Sequence, residues 1–529
     1  MPPSVRSALI NEETASPASR SESPKDDKED AKDIEVQCGS GESRYSGSGT
    51  ADDPYVVDWH PDDPENPYNW SETRRWVYTF QLAFAAWVSS FCSSSYSAGL
   101  HRSAVDLHIS EEVALLGVSL FVLGFMVGPL LWAPLSEVGR RIVFIGSYAA
   151  FTLLHLGGAL CKNVATLLAT RTLAGMFGVS PFTNSGAALA DMWHPRDRGV
   201  ASSLYASAPF LGPVVGPIIG GWVTTSRLGW RFNFWIMFIT AAAQYAPVLL
   251  RWRARKLRRA SGGKIVYVSR FDITRPRDRG AYWRANLARP FLFLATEPIV
   301  FLFSVYIAIA YAILYAFFAA YPIVFQQQRH WSPGVGGLAF IGVGVGTTFG
   351  MCLAPLQNRF YWAAMRKSPT GRAPPEARLY SPMFGAVCLP VGLFWFAWTC
   401  TPKHHWILPI AAGAPFGCGV ALVMQGTTQY LMDAYQIYAA SAIAATVVAR
   451  SICACFFPLV IPIMYRNLGD HWAGTVFAIL TALCMPLPLL FWAYGPAIRN
   501  RSRYAIKDVL PEDIVKSIDK KAAAARSKT

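Results

Sequence analysis

The sequence predicts an all-α integral membrane protein in which twelve transmembrane helices form two pseudo-symmetric six-helix halves. Three observations carry that prediction. The 529-residue chain is 53% hydrophobic and only 15% charged, against the quarter or so of charged residues in a soluble domain. Twelve stretches are apolar over the roughly 20 residues that a helix needs to cross about 30 Å of hydrocarbon. A strongly basic stretch from Arg251 to Arg289 divides them six and six.

Residues 1–74 hold no apolar run and carry a mixed-charge tract from Ser21 to Asp30, which predicts a disordered cytosolic tail rather than a cleaved signal peptide. The sequon Asn69-Trp70-Ser71 precedes the first span on that cytosolic side, where it is not expected to carry a glycan. The first half, residues 75–250, places spans at 76–97, 113–132, 142–160, 164–190, 199–223 and 230–250. The second half, residues 297–495, places them at 297–321, 334–353, 382–399, 406–431, 438–464 and 472–494. Helices are required because lipid offers no partner to a backbone N–H or C=O. Residues 251–296 read as a basic cytosolic linker and 496–529 as a basic cytosolic C-terminal tail.

Cations set the orientation. Arg140 and Arg141, Arg196 and Arg198, the linker and the stretch 359–378 fall on one side, which the positive-inside rule makes cytosolic, so both termini are expected inside. The net charge of +15 therefore reads as topology rather than nucleic-acid binding. Trp and Tyr at span ends read as interfacial anchors. The ten cysteines show no metal-ligand spacing, and Cys92, Cys352, Cys388, Cys418, Cys453, Cys455 and Cys484, within spans, read as small apolar fillers.

In the fifth span, Gly212, Gly216 and Gly220 share one helix face, where missing side chains let another backbone approach closely. The eighth span repeats the device at Gly342, Gly346 and Gly350, so these two faces are expected to pack on each other between the halves. Ala133-Pro134-Leu135 after the second span and Ala354-Pro355-Leu356 after the eighth occupy matching loops, as an internal duplication would leave them.

Gly212, Gly216, Pro217, Gly220 and Gly221, with Pro213 between the first two, match the GxxxGPxxGG motif of the antiporter branch of the major facilitator superfamily. Asp62-Asp63-Pro64-Glu65-Asn66-Pro67, Trp132 to Glu137, Arg171 to Gly175, Pro374 to Leu379 and Asp433 to Ser441 extend the likeness. From Asp58 to about Ala505 the chain resembles the fungal twelve-span drug:proton antiporter family, the multidrug and toxin exporters of that superfamily. The resemblance implies a secondary active transporter that works by alternating access, with proton-coupled efflux of toxins, secondary metabolites or antifungal drugs. The expected location is the plasma membrane, with the vacuolar membrane as the other address. Uptake symport or facilitated diffusion of a small organic solute is the alternative within transport, and a solute-sensing receptor on a transporter fold the alternative outside it. The sequence has no phosphate-binding loop and no nucleophile, metal cluster or carboxylate pair arranged for catalysis, so an enzyme is not expected. The expected partners are a small-molecule substrate, protons and the lipid bilayer, with no nucleic acid, no metal and no cofactor. The proton gradient supplies the energy, and a monomer is expected.

By the same resemblance, Glu137, Gly139, Arg140 and Arg141 form a cytoplasmic latch made in one state of the cycle, although Val138 alone stands between acid and glycine where the family has two residues. Arg171 matches the family's RxxxG coupling motif. An arginine in hydrocarbon either couples or caps backbone carbonyls, and Arg450 in the eleventh span poses the same choice. His155 in the third span either exchanges a proton or is a satisfied core residue. No Asp or Glu lies deep in a span, since Glu137, Asp191, Glu297 and Asp433 fall near cytoplasmic ends. The cavity is therefore expected to be neutral to positive and to suit neutral or anionic amphipathic compounds. The resemblance lines that cavity with the first, fourth, seventh and tenth spans, making Gln81, Asn184, Tyr311, Tyr315 and Gln425 candidates. Tyr311 and Tyr315 share a helix face and either stack on an aromatic substrate or bond neighbouring helices.

Overall fold

The computed structural model describes the backbone of residues 55–57, 67–193, 198–242, 267–269, 279–367, 373–435, 438–502 and 504–505. Side chains are described for these except 55–57, 133–134, 136–142, 187, 190–191, 198–200, 203, 206, 267–269, 279–287, 367 and 440. Two units are present. The smaller comprises residues 1–58 and 250–274, and its described part is a parallel pair of short strands, β1 (Tyr55–Val57) and β2 (Tyr267–Ser269), which lie in the expected tail and linker.

The larger unit, residues 59–249 and 275–529, is the helical body and holds both halves. Its first half contains α1 (Glu72–Ser95), α2 (Leu100–Leu107), α3 (Glu111–Ala159), α4 (Val164–Gly178), α5 (Ser180–Met192), α6 (Arg198–Thr225) and α7 (Phe232–Ala242). Then follow α8 (Arg279–Thr296), α9 (Pro298–Tyr321), α10 (Pro333–Gly337), α11 (Ile341–Leu353) and α12 (Leu356–Lys367). The chain continues through α13 (Tyr380–Thr399), α14 (Ile407–Tyr435), α15 (Ala439–Cys484) and α16 (Leu487–Arg501). Polar residues in the connections start several of these helices. Ser71, Ser110, Asn163 and Ser332 each accept a bond from a backbone N–H three residues on, at 3.4, 3.3, 2.8 and 3.4 Å, relieving the unpaired donors of a helix start.

Six stretches among the described residues are long and apolar enough to cross a membrane: Glu111–Trp132, Pro298–Gln327, Pro333–Arg366, Tyr380–Thr399, Ile407–Tyr435 and Ser441–Arg501. The other expected spans are helical too, on α1, the second limb of α3, α4 with α5, α6 and α7, with residues 243–250 of the sixth outside the described residues. Two long helices each carry two spans. Along α3, Gly117 and Gly124 meet Arg171 and Gly175 in parallel order, while Phe151 and Gly157 meet Gly178 and Thr170 in reverse order. α3 therefore folds back on itself between residues 124 and 151. α15 turns at Gly469, whose φ of 76° lies in the left-handed region that favours glycine.

The core shows how the halves are joined. One apolar cluster draws on both, with Cys92, Phe121 and Val214 alongside Tyr315, Phe340 and Phe416. Near the ends where α1 and α9 begin, each half has its own cluster. Trp70, Leu189 and Trp193 belong to the first half, and Phe293, Val300, Leu431 and Phe491 to the second.

The glycine faces of the fifth and eighth spans do not meet as expected. Gly212, Gly216 and Gly220 on α6 pack on α1 against Ser90, Ser94 and Ser95, and a Cβ on Gly212 would lie 2.5 Å from that of Ser90. Gly342 and Gly346 on α11 pack on α14 against the Ile410 and Ala414 carbonyls. A four-residue glycine spacing makes a face that accepts a backbone, and each half uses its face internally. α6 does meet α10 and α11, but through other glycines: Gly221 against Pro333 and Gly334, Gly337 against the Pro217 carbonyl, and Gly344 against Val214.

Gly216→Ala is expected to destabilise the folded protein by about 1–3 kcal/mol through overpacking against Ser94 and Ser95. Gly146→Ala, at a glycine inside α3 with nothing within 4 Å, should cost no stability and raise it by at most about 1 kcal/mol. Thermal unfolding of the two detergent-purified variants checks both.

Candidate functional site

α1 ends at Ser95, where the Tyr96 N–H turns to the Ser94 carbonyl and a 3-10 turn, Tyr96–Gly99, begins. The Cys92 carbonyl, which a continuing α-helix would offer to that N–H, is thereby left open. Arg171 on α4 supplies the missing donor. Its Nη1 donates to the Cys92 carbonyl at 2.7 Å, Nη2 to the Ser93 carbonyl at 2.9 Å and Nε to the Gly117 carbonyl of α3 at 3.0 Å. The guanidinium lies 4.3 Å from the Phe121 ring centre and 5.1 Å from that of Tyr96. At 1% exposure it is a carbonyl cap that binds three helices together.

Arg450 on α15 is placed differently. It is half-buried, its guanidinium sits 4.9 Å from the Tyr311 ring centre, and it makes no hydrogen bond or ion pair among the described residues. Tyr311 and Tyr315 on α9 are both buried and bond each other, hydroxyl to hydroxyl, at 3.3 Å. The Tyr315 hydroxyl is 2.9 Å from Ser93 Oγ on α1, a direct polar contact between the halves. The tyrosines thus bond each other and a neighbouring helix, with their rings 4.9 Å apart.

The remaining cavity candidates are distributed around this centre. Asn184 on α5 is buried and donates to Ser180 Oγ at 3.3 Å, Gln425 on α14 is buried, and Gln81 on α1 is partly exposed. His155 is buried on α3, its Nδ1 donating to the Phe151 carbonyl at 2.7 Å. Glu137, Gly139, Arg140 and Arg141 fall on α3, but these side chains lie outside the described residues.

A second polar cluster gathers where α9, α13 and α15 begin and α14 ends. Arg499 on α16, 0% exposed, donates from Nε to Glu376 Oε1 at 2.8 Å and from Nη2 to Oε2 at 3.2 Å. Arg378 donates to Asp433 at 2.8 Å and to Asn358 at 3.3 Å, with its guanidinium 3.7 Å from the Tyr361 ring centre. Glu297 accepts from the Tyr435 hydroxyl at 2.9 Å and the Ser502 hydroxyl at 2.7 Å. Two motifs read separately in the sequence, Pro374 to Leu379 and Asp433 to Ser441, meet here through Arg378 and Asp433. Glu376, Arg378 and Arg499 were not among the expected site residues. Their signal was an acid and a cation two apart behind two prolines, directly before a span with few charges of its own.

A model of the major facilitator superfamily matches residues 82–458. The chain is 48% identical to a major facilitator superfamily multidrug transporter of Aspergillus fumigatus over 477 residues, covering 88% of this chain and 78% of that one. It is 48% identical to an MFS-type efflux pump of Trichophyton rubrum over 474 residues, covering 87% and 79%. It is 40% identical to an efflux pump of Gibberella moniliformis over 480 residues, covering 88% and 80%. Among solved structures, the Escherichia coli xylose transporter XylE in a partially occluded inward-open conformation shares the fold, with a TM-score of 0.57 at 16% identity over 80% of this chain and 98% of that one.

Arg171→Ala is expected to cost most of the folded protein, since it strands the Cys92 and Ser93 carbonyls at about 1–3 kcal/mol each and unties α3 at Gly117. Arg499→Ala should cost about 3–5 kcal/mol by leaving Glu376 buried without its cation, and adding Glu376→Leu should recover part of that. Fluorescence-detected size exclusion after graded heating reads all three.

Proposed function

This chain belongs to the major facilitator superfamily, and from that premise we propose that it is a proton-driven exporter of amphipathic small molecules such as toxins, secondary metabolites or antifungal compounds. The observation that carries the reading is the division of the core. One cluster joins the halves, while near the starts of α1 and α9 each half keeps a cluster of its own. Halves joined toward one membrane face and separate toward the other offer a substrate one way in, and rocking about the joint exchanges the open face. Both termini and the open face are assigned to the cytosol by the distribution of cations, and the plasma membrane is the place where export of a toxic compound protects a cell. The direction of transport is taken from the relatives, whose names are those of efflux pumps and a multidrug transporter.

In this reading the working unit is a monomer, needs no cofactor and draws on the proton gradient. The close approach of Gly221, Gly337 and Gly344 to the opposite half gives a seam of small residues along which the halves shift. Gly212, Gly216 and Gly220 keep α1 tight against α6, so that the two helices move as one. Pro213 and Pro217 each remove a backbone donor from α6, which loosens it toward bending. Arg171 fixes the broken end of α1 to α3 and α4. The loop with Glu137, Gly139, Arg140 and Arg141 stabilises one state, and Gln81, Asn184 and Gln425 join the tyrosines around the substrate.

In yeast deprived of its own exporters, the protein is expected to lower accumulation of neutral or anionic fluorescent amphipathic compounds several-fold against a vector control, and a protonophore should abolish the difference. Raised accumulation would mean uptake, and a difference indifferent to the protonophore would mean that the proton gradient is not the energy source.

A further inference from the structure

Two arginines among the described residues of the bundle, Arg171 and Arg450, are in opposite states of satisfaction. Arg171 bonds three carbonyls, whereas Arg450 has neither a hydrogen bond nor an ion pair among the described residues and lies over the ring of Tyr311. A guanidinium stays protonated throughout the physiological range, and a cation held between membrane helices without a counter-charge is costly. Arg450 Cζ lies 4.9 Å from the Tyr311 ring centre. The donors of a guanidinium form a planar fork suited to a group with two acceptor oxygens.

The hydroxyls beside it are ordered by counting protons. Ser93 Oγ lies 2.7 Å from the Ser90 carbonyl, which can only accept, so the Ser93 proton points there. The Tyr315 hydroxyl, 2.9 Å from Ser93 Oγ, must then donate to it, and Tyr311 at 3.3 Å donates to Tyr315. Donation runs one way, from Tyr311 through Tyr315 and Ser93 to Ser90, and crosses from the second half to the first. With their protons committed, these two phenols offer aromatic surface rather than donors. From the first half, the Tyr205 hydroxyl, bonded to the Pro181 carbonyl at 3.0 Å, lies within electrostatic reach of the Arg450 charge. Arg450 thus has a phenol ring of its own half beneath it and a tyrosine hydroxyl of the other half within reach of its charge.

We propose that Arg450 is the substrate anchor, binding an oxyanion such as a carboxylate or phenolate carried on a planar aromatic ring system that rests against Tyr311. The proposal deepens the export reading, on which it rests for the direction of transport alone, because binding to Arg450 requires no gradient. The anion supplies the counter-charge that the protein withholds, and the absence of a competing carboxylate at Arg450 among the described residues keeps the position open to substrate.

Two dyes with one ring skeleton test it on the full-length protein in detergent: carboxyfluorescein, an anion, and rhodamine 6G, a cation, followed by fluorescence anisotropy. Wild-type protein is expected to bind carboxyfluorescein more tightly than rhodamine 6G. Arg450→Gln should weaken carboxyfluorescein binding by about tenfold or more and leave rhodamine 6G binding undiminished, while Arg450→Lys, which keeps the charge without the fork, should fall between. Thermal unfolding of each variant checks that it is folded, and the comparison of dyes on wild-type protein stands without any variant. Tighter binding of the cation by wild type, or equal carboxyfluorescein binding by wild type and folded Arg450→Gln, overturns the proposal. Failure of protonophore-sensitive export in cells would sink the export reading and leave the dye comparison intact.

Discussion

Three backbone carbonyls bonded to one buried guanidinium hold the first half together. In lipid, a carbonyl that loses its helical partner has no water to turn to. α1 creates that problem where its regular bonding stops at Ser95, and Arg171 answers it with donors fixed in a planar fork. The same side chain reaches Gly117 on α3, so the end of α1, the first limb of α3 and α4 are tied at one point. The packing of α6 on α1 depends on this. Gly212, Gly216 and Gly220 can approach Ser90, Ser94 and Ser95 closely only if α1 keeps its position.

The contacts between the halves are lighter in kind. Where α6 meets α10 and α11, glycines face backbone at Pro333 and Pro217 and a side chain at Val214, and the attraction is short-range dispersion. At the entrances of α9 and α13, the second half is instead bound by charges. The Glu376–Arg499 pair, the Arg378–Asp433 pair and the bonds to Glu297 join helix ends of that half. Ion pairs inside the second half, and a seam between halves that carries no ion pair among the described residues, suit a two-body rocking motion.

The centre of the bundle places polar groups according to what each must do. Each nitrogen of Arg171 bonds a carbonyl, whereas those of Arg450 bond no described residue. Arg171 and Arg450 have the same side chain, and only their partners separate them. The hydroxyl line from Tyr311 to Ser90 adds a polar contact across the halves at a depth where water is scarce.

Much of this was legible in the sequence because hydropathy and charge act locally. Apolar runs of sufficient length gave the spans, and the family motifs gave the class of protein. Glycines four apart revealed a close-packing face but not what it faces, because any backbone fits a surface without side chains. Residues 212, 216 and 220 chose the serines of α1, and 342 and 346 chose α14. Arg171 and Arg450 were both visible as costly charges, and Tyr311 and Tyr315 as neighbours on one helix face. Which arginine was satisfied, and that Arg378 and Asp433 would meet, depended on atoms brought together from distant parts of the chain. The sequence by itself determined the membrane helices, since the cost of a polar backbone in lipid is paid segment by segment. Only the tertiary structure decided the partner of each glycine face and each charge, because those energies exist only between segments already packed together.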